Sequence, residues 1–422
     1  MGASSDYPRP SGSTGSARPR RAGWAAALAL GMATLAPALG GGNPPDRATL
    51  TGASARTAQT SDGEPGPAPR VTRPWMSKPI TFGIKRKHLA PGVDYVTWDT
   101  VDARGPVRFH LVTADLDVRG VRVDYAAPGK VARTTQLSRL YRRDGAVAGV
   151  NGDFFDIGDT SAPLGTGIDR HAGLRHGRAY GWNSTFWIDS RGRPQIGVLP
   201  VTVTSRQLGG VAIKNLNSPF VYPDSVGLWT GRWGELKGTS MTDGPITDSK
   251  VIRIRKGTVV SVGRTVPASG KLAGKLLVGR GKVGVGALKG IQVGDMLRFR
   301  TSVASNPKIA ISGQSLLIDD GLVVATDDSE MHPRTAVAIN HDTAQIMLLV
   351  IDGRQSFSRG YTLREMARKL VELGADEAIN LDGGGSSFMY LNSATAKPRI
   401  ANSPSDGVER HVANGLEIHA RG

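Results

Sequence analysis

The stretch of this sequence best suited to chemistry is a carboxylate followed by three glycines and two hydroxyls. Its members are Asp382, Gly383, Gly384, Gly385, Ser386 and Ser387. Glycines let the backbone turn tightly and approach a ligand closely, because no Cβ stands in the way. Successive N–H groups in such a turn can point at one anion, and the two hydroxyls add donors. The stretch therefore predicts an anion-binding loop with an acid beside it. The alternative is a glycine-rich turn between two strands.

A helix and a strand precede this loop and would hold it rigidly. Thr362 and Glu365 have the spacing of a capping box, and apolar residues recur at helical intervals after them until Gly374 ends the helix. An apolar run over 378–381 then predicts a buried strand. A capped helix that leads into a strand and a glycine turn is a typical scaffold for a functional loop.

A second polar loop follows the same plan earlier in the chain. The pattern predicts a short helix capped by Thr134 or Thr135 and ended by Gly145, then an apolar strand over 146–150. The loop that follows contains Asn151, Gly152 and Asp153, and we expect it to lie beside the glycine-rich loop.

Two predicted hairpins bring arginines towards the same region. Asp319-Asp320-Gly321 lies between two short apolar runs, and the strands 336–340 and 345–351 form the second hairpin. Polar residues lie at its two ends: Arg334, Thr335, Asp352 and Arg354. A guanidinium binds phosphate or carboxylate through two hydrogen bonds, so both arginines are candidate phosphate ligands. The alternative is that each arginine pairs with a structural aspartate.

The order of these motifs resembles the phosphodiester glycosidase family. The resemblance covers roughly residue 146 to the C-terminus, and its most specific piece runs from Leu381 to Ser387. It implies cleavage of the anomeric bond of a sugar-1-phosphodiester, in which an N-acetylglucosamine-like sugar is released and the phosphate stays on the other partner. The motifs that carry it are His332-Pro333-Arg334-Thr335-Ala336, Asp352-Gly353-Arg354, the run 380–387, Arg410 to Asn414, and Asn151 to Phe155.

The chemistry implied by the family agrees with the groups on these loops. Breaking an anomeric bond builds positive charge on the sugar and negative charge on the phosphate. We expect Asp382, Asp352 and Arg334 to be catalytic, without assigning base and stabiliser between the two aspartates. The residues expected to bind substrate are Asn151, Gly152, Asp153, Thr335, Arg354, Gly383, Gly384, Gly385, Ser386, Ser387, Asn402, Asp406 and Arg410.

Two of these assignments keep an alternative. The family often has a small residue where this chain has Asp153, so Asp153 is either part of the site or a local variation. The loop containing Asn402 and Asp406 resembles a family loop, but a capped turn would give the same pattern.

Composition limits the partners. The chain has 422 residues, no cysteine and a formal net charge of +17, so thiolate metal sites and disulfides are excluded and anionic partners are favoured. We expect a sugar-1-phosphodiester or an anionic wall glycopolymer as substrate, no nucleic acid, no stable membrane insertion and no cofactor. A role for calcium stays open. His332 and His341 are too isolated to indicate a metal-dependent phosphodiesterase.

The N-terminus has the pattern of an exported protein. Arg18, Arg20 and Arg21 precede an apolar, alanine-rich run, which predicts a signal peptide over residues 1–40 and a secreted or wall-associated protein. The alternative is an N-terminal anchor helix. Residues 41–74 are rich in Gly, Pro, Ala, Ser and Thr, which is typical of a disordered linker.

These patterns predict an α+β fold with helices packed on a mixed β-sheet and an all-β insertion or lobe. We expect a β-rich N-terminal extension over 75–145 and a catalytic domain over 146–422, with the insertion at about 187–300. Trp229 and Trp233 in the insertion are either sugar-stacking or core residues. The predicted function is a secreted phosphodiester glycosidase, and the alternative is a non-catalytic module that binds anionic wall polymer.

Overall fold

The fold is mostly β, with strands in 43% of the chain and helices in 10%. The computed structural model describes Ser61 and residues 66–242, 244 and 246–421. Several β-sheets, antiparallel in most of their strand pairs, form the molecule, so the predicted α+β class, with helices packed on a mixed sheet, is wrong. The predicted signal peptide and most of the predicted linker lie outside the described residues. Among the described residues, no helix has the length and apolar character needed to cross a membrane.

The N-terminal elements are long strands followed by one short helix. They are β1 (Ile80–Ala90), β2 (Val93–Asp102), β3 (Gly105–Asp115), β4 (Arg122–Ala126), α1 (Leu137–Asp144) and β5 (Ala148–Asn151). Helix α1 begins after Gln136, whose side chain makes no capping hydrogen bond, so the predicted threonine cap is wrong. Gly145 ends the helix at φ 72°, as predicted, because glycine adopts the left-handed conformation without a Cβ clash.

The middle of the chain consists of many short strands and one helix. They are β6 (Gly167–Asp169), β7 (Gly173–Arg178), β8 (Ser184–Ile188), β9 (Pro194–Val198), β10 (Val201–Thr204), β11 (Ile213–Leu216), β12 (Ser225–Thr230), β13 (Ser249–Arg255), β14 (Thr258–Gly263), β15 (Lys275–Arg280), α2 (Gly281–Ala287), β16 (Arg300–Val303), β17 (Ile309–Gly313), β18 (Ser315–Asp319) and β19 (Leu322–Val323).

The C-terminal elements include the longest helix. They are β20 (Arg334–Asn340), β21 (Gln345–Ile351), α3 (Leu363–Glu372), β22 (Glu377–Leu381), β23 (Met389–Ser393), β24 (Ala396–Ile400) and β25 (Gly415–His419). The predicted capping box is confirmed, because Thr362 accepts the Glu365 N–H and the Glu365 side chain accepts the Thr362 N–H. These two bonds satisfy N–H groups that a helix start otherwise leaves unpaired.

An eight-stranded sheet carries most of the candidate site at its strand ends. Its order is β1-β2-β3-β21-β20-β22-β18-β19, so strands from both ends of the chain share one sheet. Both predicted hairpins are confirmed: β20 pairs antiparallel with β21, and β18 pairs with β19 around Asp320-Gly321. The loop that begins at Asp382 follows the buried strand β22 directly.

Two further sheets complete the molecule. A five-stranded sheet of order β24-β23-β5-β25-β4 shares its core with the eight-stranded sheet. A twelve-stranded sheet contains the predicted β-rich insertion together with β6, β7 and β17. Trp229 and Trp233 are both fully buried in its core, so they pack and do not stack on a sugar.

Candidate active site

The glycine-rich loop folds back on the strand that carries Arg334. Gly384 has φ 56°, a value that favours glycine, and its N–H donates to the Pro333 carbonyl at 2.9 Å. The N–H groups of Ser386 and Ser387 close a tight turn by donating to the carbonyls of residues 383 and 384. These N–H groups therefore shape the loop and hold it against residue 333.

Asn151 ties three segments of the site together. Its Oδ1 accepts hydrogen bonds from Thr335 Oγ1 at 2.8 Å and from the Phe388 N–H at 3.0 Å. Its Nδ2 donates to the Asp382 carbonyl at 2.7 Å, and the Asp382 N–H donates to the Gly152 carbonyl at 2.8 Å. Full burial makes each unmade bond costly, so Asn151 fixes the relative positions of the first polar loop, β20 and the glycine loop.

Asp153 is a buried carboxyl held beside Asp382. Its N–H donates to Asn414 Oδ1 at 2.8 Å, and its Oδ2 accepts the Gly165 N–H at 2.7 Å. Burial raises the pKa of Asp153 well above its ordinary value, the Gly165 bond and the charge of Arg178 oppose the rise, and the charge of Asp382 adds to it. Asp153 is therefore suited to hold a proton at a pH where an exposed aspartate would have lost it.

Asp382 accepts a hydrogen bond from the hydroxyl of a residue that is distant in the sequence. Ser61 Oγ donates to Asp382 Oδ2 at 2.6 Å and accepts the Phe155 N–H at 3.1 Å. Both Ser61 and Asp382 are buried. The structure thus shows that a hydroxyl can lie against the Asp382 carboxylate inside the site.

Arg410 lies on the other side of Ser61 and contacts the glycine loop. It pairs with Asp406, whose Oδ2 accepts from Arg410 Nε at 2.8 Å, and it donates to the Ser61 carbonyl. A Cβ on Gly385 would lie within about 2.1 to 2.3 Å of this ion pair, so only glycine fits there. The structure therefore brings the predicted residues Asp406, Arg410 and Gly385 together.

Two predicted arginines lie at the mouth of the β20–β21 hairpin. Arg334 is buried and donates from Nε to the Tyr361 carbonyl at 2.9 Å and from another nitrogen to the Glu330 carbonyl at 3.0 Å. Arg354, at φ 59°, donates to His332 Nδ1 at 2.9 Å. Each guanidinium is oriented by backbone or imidazole acceptors.

His332 is a candidate site residue even though its position in the sequence is too isolated for a metal site. Arginine is only a donor, so its bond to Nδ1 requires that nitrogen to be unprotonated, and Nε2–H then donates to Glu330 Oε2 at 2.7 Å. Burial lowers the pKa of His332, which agrees with a neutral ring. The signal that could have found it is its place directly before Pro333 and Arg334.

Arg178 is a residue that the sequence analysis did not single out. It is buried on β7, donates to Ser218 Oγ at 2.5 Å and to Tyr222 OH at 2.8 Å, and lies 4.5 Å above the centre of the Phe220 ring. One of its nitrogens makes no hydrogen bond within the described residues. The charge of Arg178 acts to lower the pKa of Asp153. The alternation of residues along a strand does not show that a buried cation lies near a carboxyl group.

Asp352 and Asn402 are placed differently from the groups around Asp382. Asp352 Oδ2 lies 3.1 Å from His110 Nε2, and its Oδ1 accepts the Ser403 N–H at 2.9 Å. Asn402 bonds the backbone of Ser387 and Met389, and so holds the end of the glycine loop. Within the described part of the chain, no group of three or more His, Cys, Asp or Glu side chains could hold a metal ion.

Comparison with known proteins tests the resemblance. Residues 241–419 match the family model described as phosphodiester glycosidase. The resemblance to the phosphodiester glycosidase family is confirmed. The chain is 32% identical over 163 residues to N-acetylglucosamine-1-phosphodiester alpha-N-acetylglucosaminidase of Mus musculus. The aligned residues make up 36% of this chain and 30% of that protein. The chain thus matches less than a third of the length of this family member.

Solved structures with the same fold are more divergent in sequence. A hypothetical protein from Synechocystis has a TM-score of 0.65 at 20% identity, over 81% of this chain and 64% of the other. A putative exported protein from Burkholderia pseudomallei has a TM-score of 0.63 at 18% identity, over 84% of this chain and 100% of the other. At these identities the similarity shows the fold alone.

Proposed function

We propose that this protein hydrolyses the anomeric bond of a sugar-1-phosphodiester, releasing free sugar and a phosphomonoester. The observation that carries the proposal is the pair of buried aspartates on adjoining loops, of which one holds a hydroxyl and the other has a raised pKa. Two carboxyl groups in different protonation states are what glycoside hydrolysis requires.

Asp382 acts on the sugar side of the bond. The Ser61 hydroxyl marks a position, 2.6 Å from Oδ2, from which a water molecule could donate to the carboxylate in the same way. Asp382 accepts a proton from that water as its oxygen attacks the anomeric carbon, or stabilises the positive charge that develops on the sugar.

Asp153 acts on the phosphate side. Its pKa is raised, so the acid can hold a proton and donate it to the oxygen that leaves with the phosphate. In the balanced reaction the C1–O bond to phosphate breaks, and water supplies the new hydroxyl of the sugar. The second proton of that water passes to solvent, from which Asp153 regains the proton that it gave to the phosphate.

Four guanidinium groups are the candidate ligands of the phosphate. They belong to Arg178, Arg334, Arg354 and Arg410. The charge of Arg178 acts on Asp153, Arg334 directly follows Pro333, and Arg410 lies beside Gly385, whereas Arg354 donates to His332. Arginine is suited to phosphate because its planar fork donates two parallel hydrogen bonds. No metal or cofactor is part of the proposal.

The position of bond cleavage is the direct test. The purified protein is incubated with a panel of sugar-1-phosphodiesters in water enriched in oxygen-18, and the products are analysed by mass spectrometry. We expect the label on the sugar and none on the phosphate. Label on the phosphate would mean phosphodiester cleavage at phosphorus, and retention of a wall polymer without any release would favour a binding module.

We also propose that the protein acts outside the cytoplasm, on wall glycopolymers or their turnover products. The support is the pattern of residues 1–40 and the strongly basic composition, which attracts anionic polymers. Fractionation of cells that produce the protein, followed by immunodetection in the wall and medium fractions, tests this location.

A further inference from the structure

A cavity of about 260 Å³ lies next to His110, outside the glycine loop. It is formed between strands β1 to β3 at one end of the eight-stranded sheet and strand β24 of the five-stranded sheet. The proposed reaction gives this cavity no role.

The cavity lining has an excess of positive charge. Lys85, Arg108 and Arg399 line it together with a single carboxylate, Asp99. Asp99 is bound by Arg108 through two hydrogen bonds, of 2.7 and 3.0 Å, so its charge is neutralised locally. Neither Lys85 nor Arg399 belongs to an ion pair within the described residues, which leaves two cations for a ligand.

The two cations line the cavity from different strands, β1 and β24. The β1–β2 register shifts between Phe82 and Lys85, and Gly83 at φ 65° lies within that irregularity. Such a bulge changes the direction of the following side chains. From the opposite side, the Arg399 guanidinium lies 5.9 Å from the centre of the Tyr95 ring, a distance at which cation–π attraction holds it in place.

The inner wall of the cavity is a chain of buried hydrogen bonds that ends at the site loops. Tyr95 OH lies 2.8 Å from His110 Nδ1, and His110 Nε2 lies 3.1 Å from Asp352 Oδ2. Asp352 also accepts the N–H of Ser403, in the loop that carries Asp406. One buried side chain, Asp352, therefore separates the cavity from the loops that carry Arg354 and Asp406.

We propose that this cavity is a second phosphate subsite. In it, Lys85 and Arg399 bind a phosphodiester group of a polyanionic substrate, and this group is not the one whose sugar is cleaved. The inference rests on the proposed function for the identity of the substrate. Phosphate is the ligand that fits, because the lining provides two cations on an aromatic wall and its one carboxylate is already paired.

The test compares two double variants with the same charge change on the same two strands. Lys85→Ala with Arg399→Ala removes the cavity cations, and Lys87→Ala with Lys397→Ala is the control, since neither of its lysines lines the cavity. Binding of inorganic tripolyphosphate is measured by calorimetry at one ionic strength. We expect about tenfold weaker binding for the cavity variant and a change within about twofold for the control.

Kinetics separate this subsite from the catalytic one. With a substrate that contains two phosphodiester groups, kcat/KM should fall about tenfold in the cavity variant, and with a one-phosphate substrate it should stay within about twofold of wild type. Equal effects of the two double variants on binding, or equal losses on both substrates, would overturn the subsite. Absence of sugar release by the wild type would instead contradict the proposed function, while the tripolyphosphate measurement still decides whether the cavity binds phosphate.

Discussion

At the scale of single residues, the site depends on two aspartates in unlike surroundings. Asp382 accepts a hydrogen bond from the Ser61 hydroxyl. Asp153 accepts a hydrogen bond from a backbone N–H at Oδ2, and its pKa is raised because it is buried. The charge on Asp382 helps to keep the proton on Asp153. Replacing one aspartate or the other should therefore affect different steps of the reaction.

Replacement of Asp382 by asparagine should separate catalysis from folding. Asparagine preserves the shape and can accept the Ser61 hydroxyl, so we expect the thermal transition to stay within a few degrees of wild type. Loss of a base or an electrostatic stabiliser should lower kcat by about a hundredfold or more. Both constants and the melting curve are measured on one preparation. Activity within a few-fold of wild type would make Asp382 structural.

Asp153→Asn should lower activity and raise stability at neutral pH. Between the ordinary aspartate pKa and the raised pKa of Asp153, the unfolded chain releases a proton that the folded chain keeps, so the wild type loses stability as pH rises through this window. Asparagine removes that loss and can still accept the Gly165 N–H.

The measurement for Asp153→Asn is a set of melting curves and pH–rate profiles. The gain in melting temperature over wild type should grow with pH, and the alkaline limb of kcat that reports the acid should disappear. A variant that keeps wild-type turnover would show that Asp153 donates a hydrogen bond without transferring a proton.

Helix ends and tight turns were predictable because neighbouring residues determine them. The hydroxyl cap at Thr362, the glycine stop at Gly145 and the Asp320-Gly321 hairpin each depend on residues within a few positions. The contacts of Arg178 and His332 could not be predicted in this way. Their importance comes from contacts across the fold, with Tyr222 for one and with Arg354 and Glu330 for the other.

At the scale of elements, the glycine loop depends on one backbone conformation. Gly384 has φ 56°, whereas the exposed Gly286 in α2 has no positive φ, and a Cβ added to it would have no atom within 4 Å. Gly384→Ala should therefore cost about 1 kcal/mol of unfolding free energy, and Gly286→Ala should be neutral or stabilising by about 0.5 kcal/mol. Denaturant unfolding of both variants measures the difference. Equal stabilities would mean that the loop adapts to a side chain.

Ser61 and Gly66, which precede β1, contact the candidate site. Ser61 donates from Oγ to Asp382 and accepts at its carbonyl from Arg410, and the Gly66 N–H donates to Glu330 Oε2 at 3.3 Å. We expect substrate to displace the Ser61 contacts, so a chain that lacks residues 1–65 should show a several-fold higher kcat/KM than the full chain. Initial rates at low substrate measure this. Unchanged rates, with unchanged melting, would show that the segment yields to substrate at no cost.

At the scale of the whole molecule, the class of fold could not be read from the sequence. The helical periodicity before Gly374 is real, but it belongs to one helix of ten residues among long antiparallel sheets. Strand β17 pairs with β6 and β8, which lie more than a hundred residues earlier in the chain. Such pairing depends on distant segments, and a window of neighbouring residues does not contain it.

The net charge of the molecule leads to a prediction about salt. A chain with formal net charge +17 attracts anionic polymers over distances comparable to the Debye length, which is about 8 Å at physiological ionic strength. A polymer brings many phosphates into this field, whereas a small sugar-1-phosphodiester brings one. We therefore expect log kcat/KM to fall more steeply with log salt concentration for the polymer.

The two substrates are compared in the same buffers, with the Lys87→Ala, Lys397→Ala variant as a check on the contribution of surface charge. If attraction by the whole molecule matters, this variant should flatten the salt dependence for the polymer slightly, because it removes two of many charges. The cavity variant should flatten it more, because Lys85 and Arg399 would contact phosphate directly. Parallel salt dependences for polymer and small substrate would show that net charge has no part in recognition, and the phosphate contacts would then be confined to the arginines around Asp382.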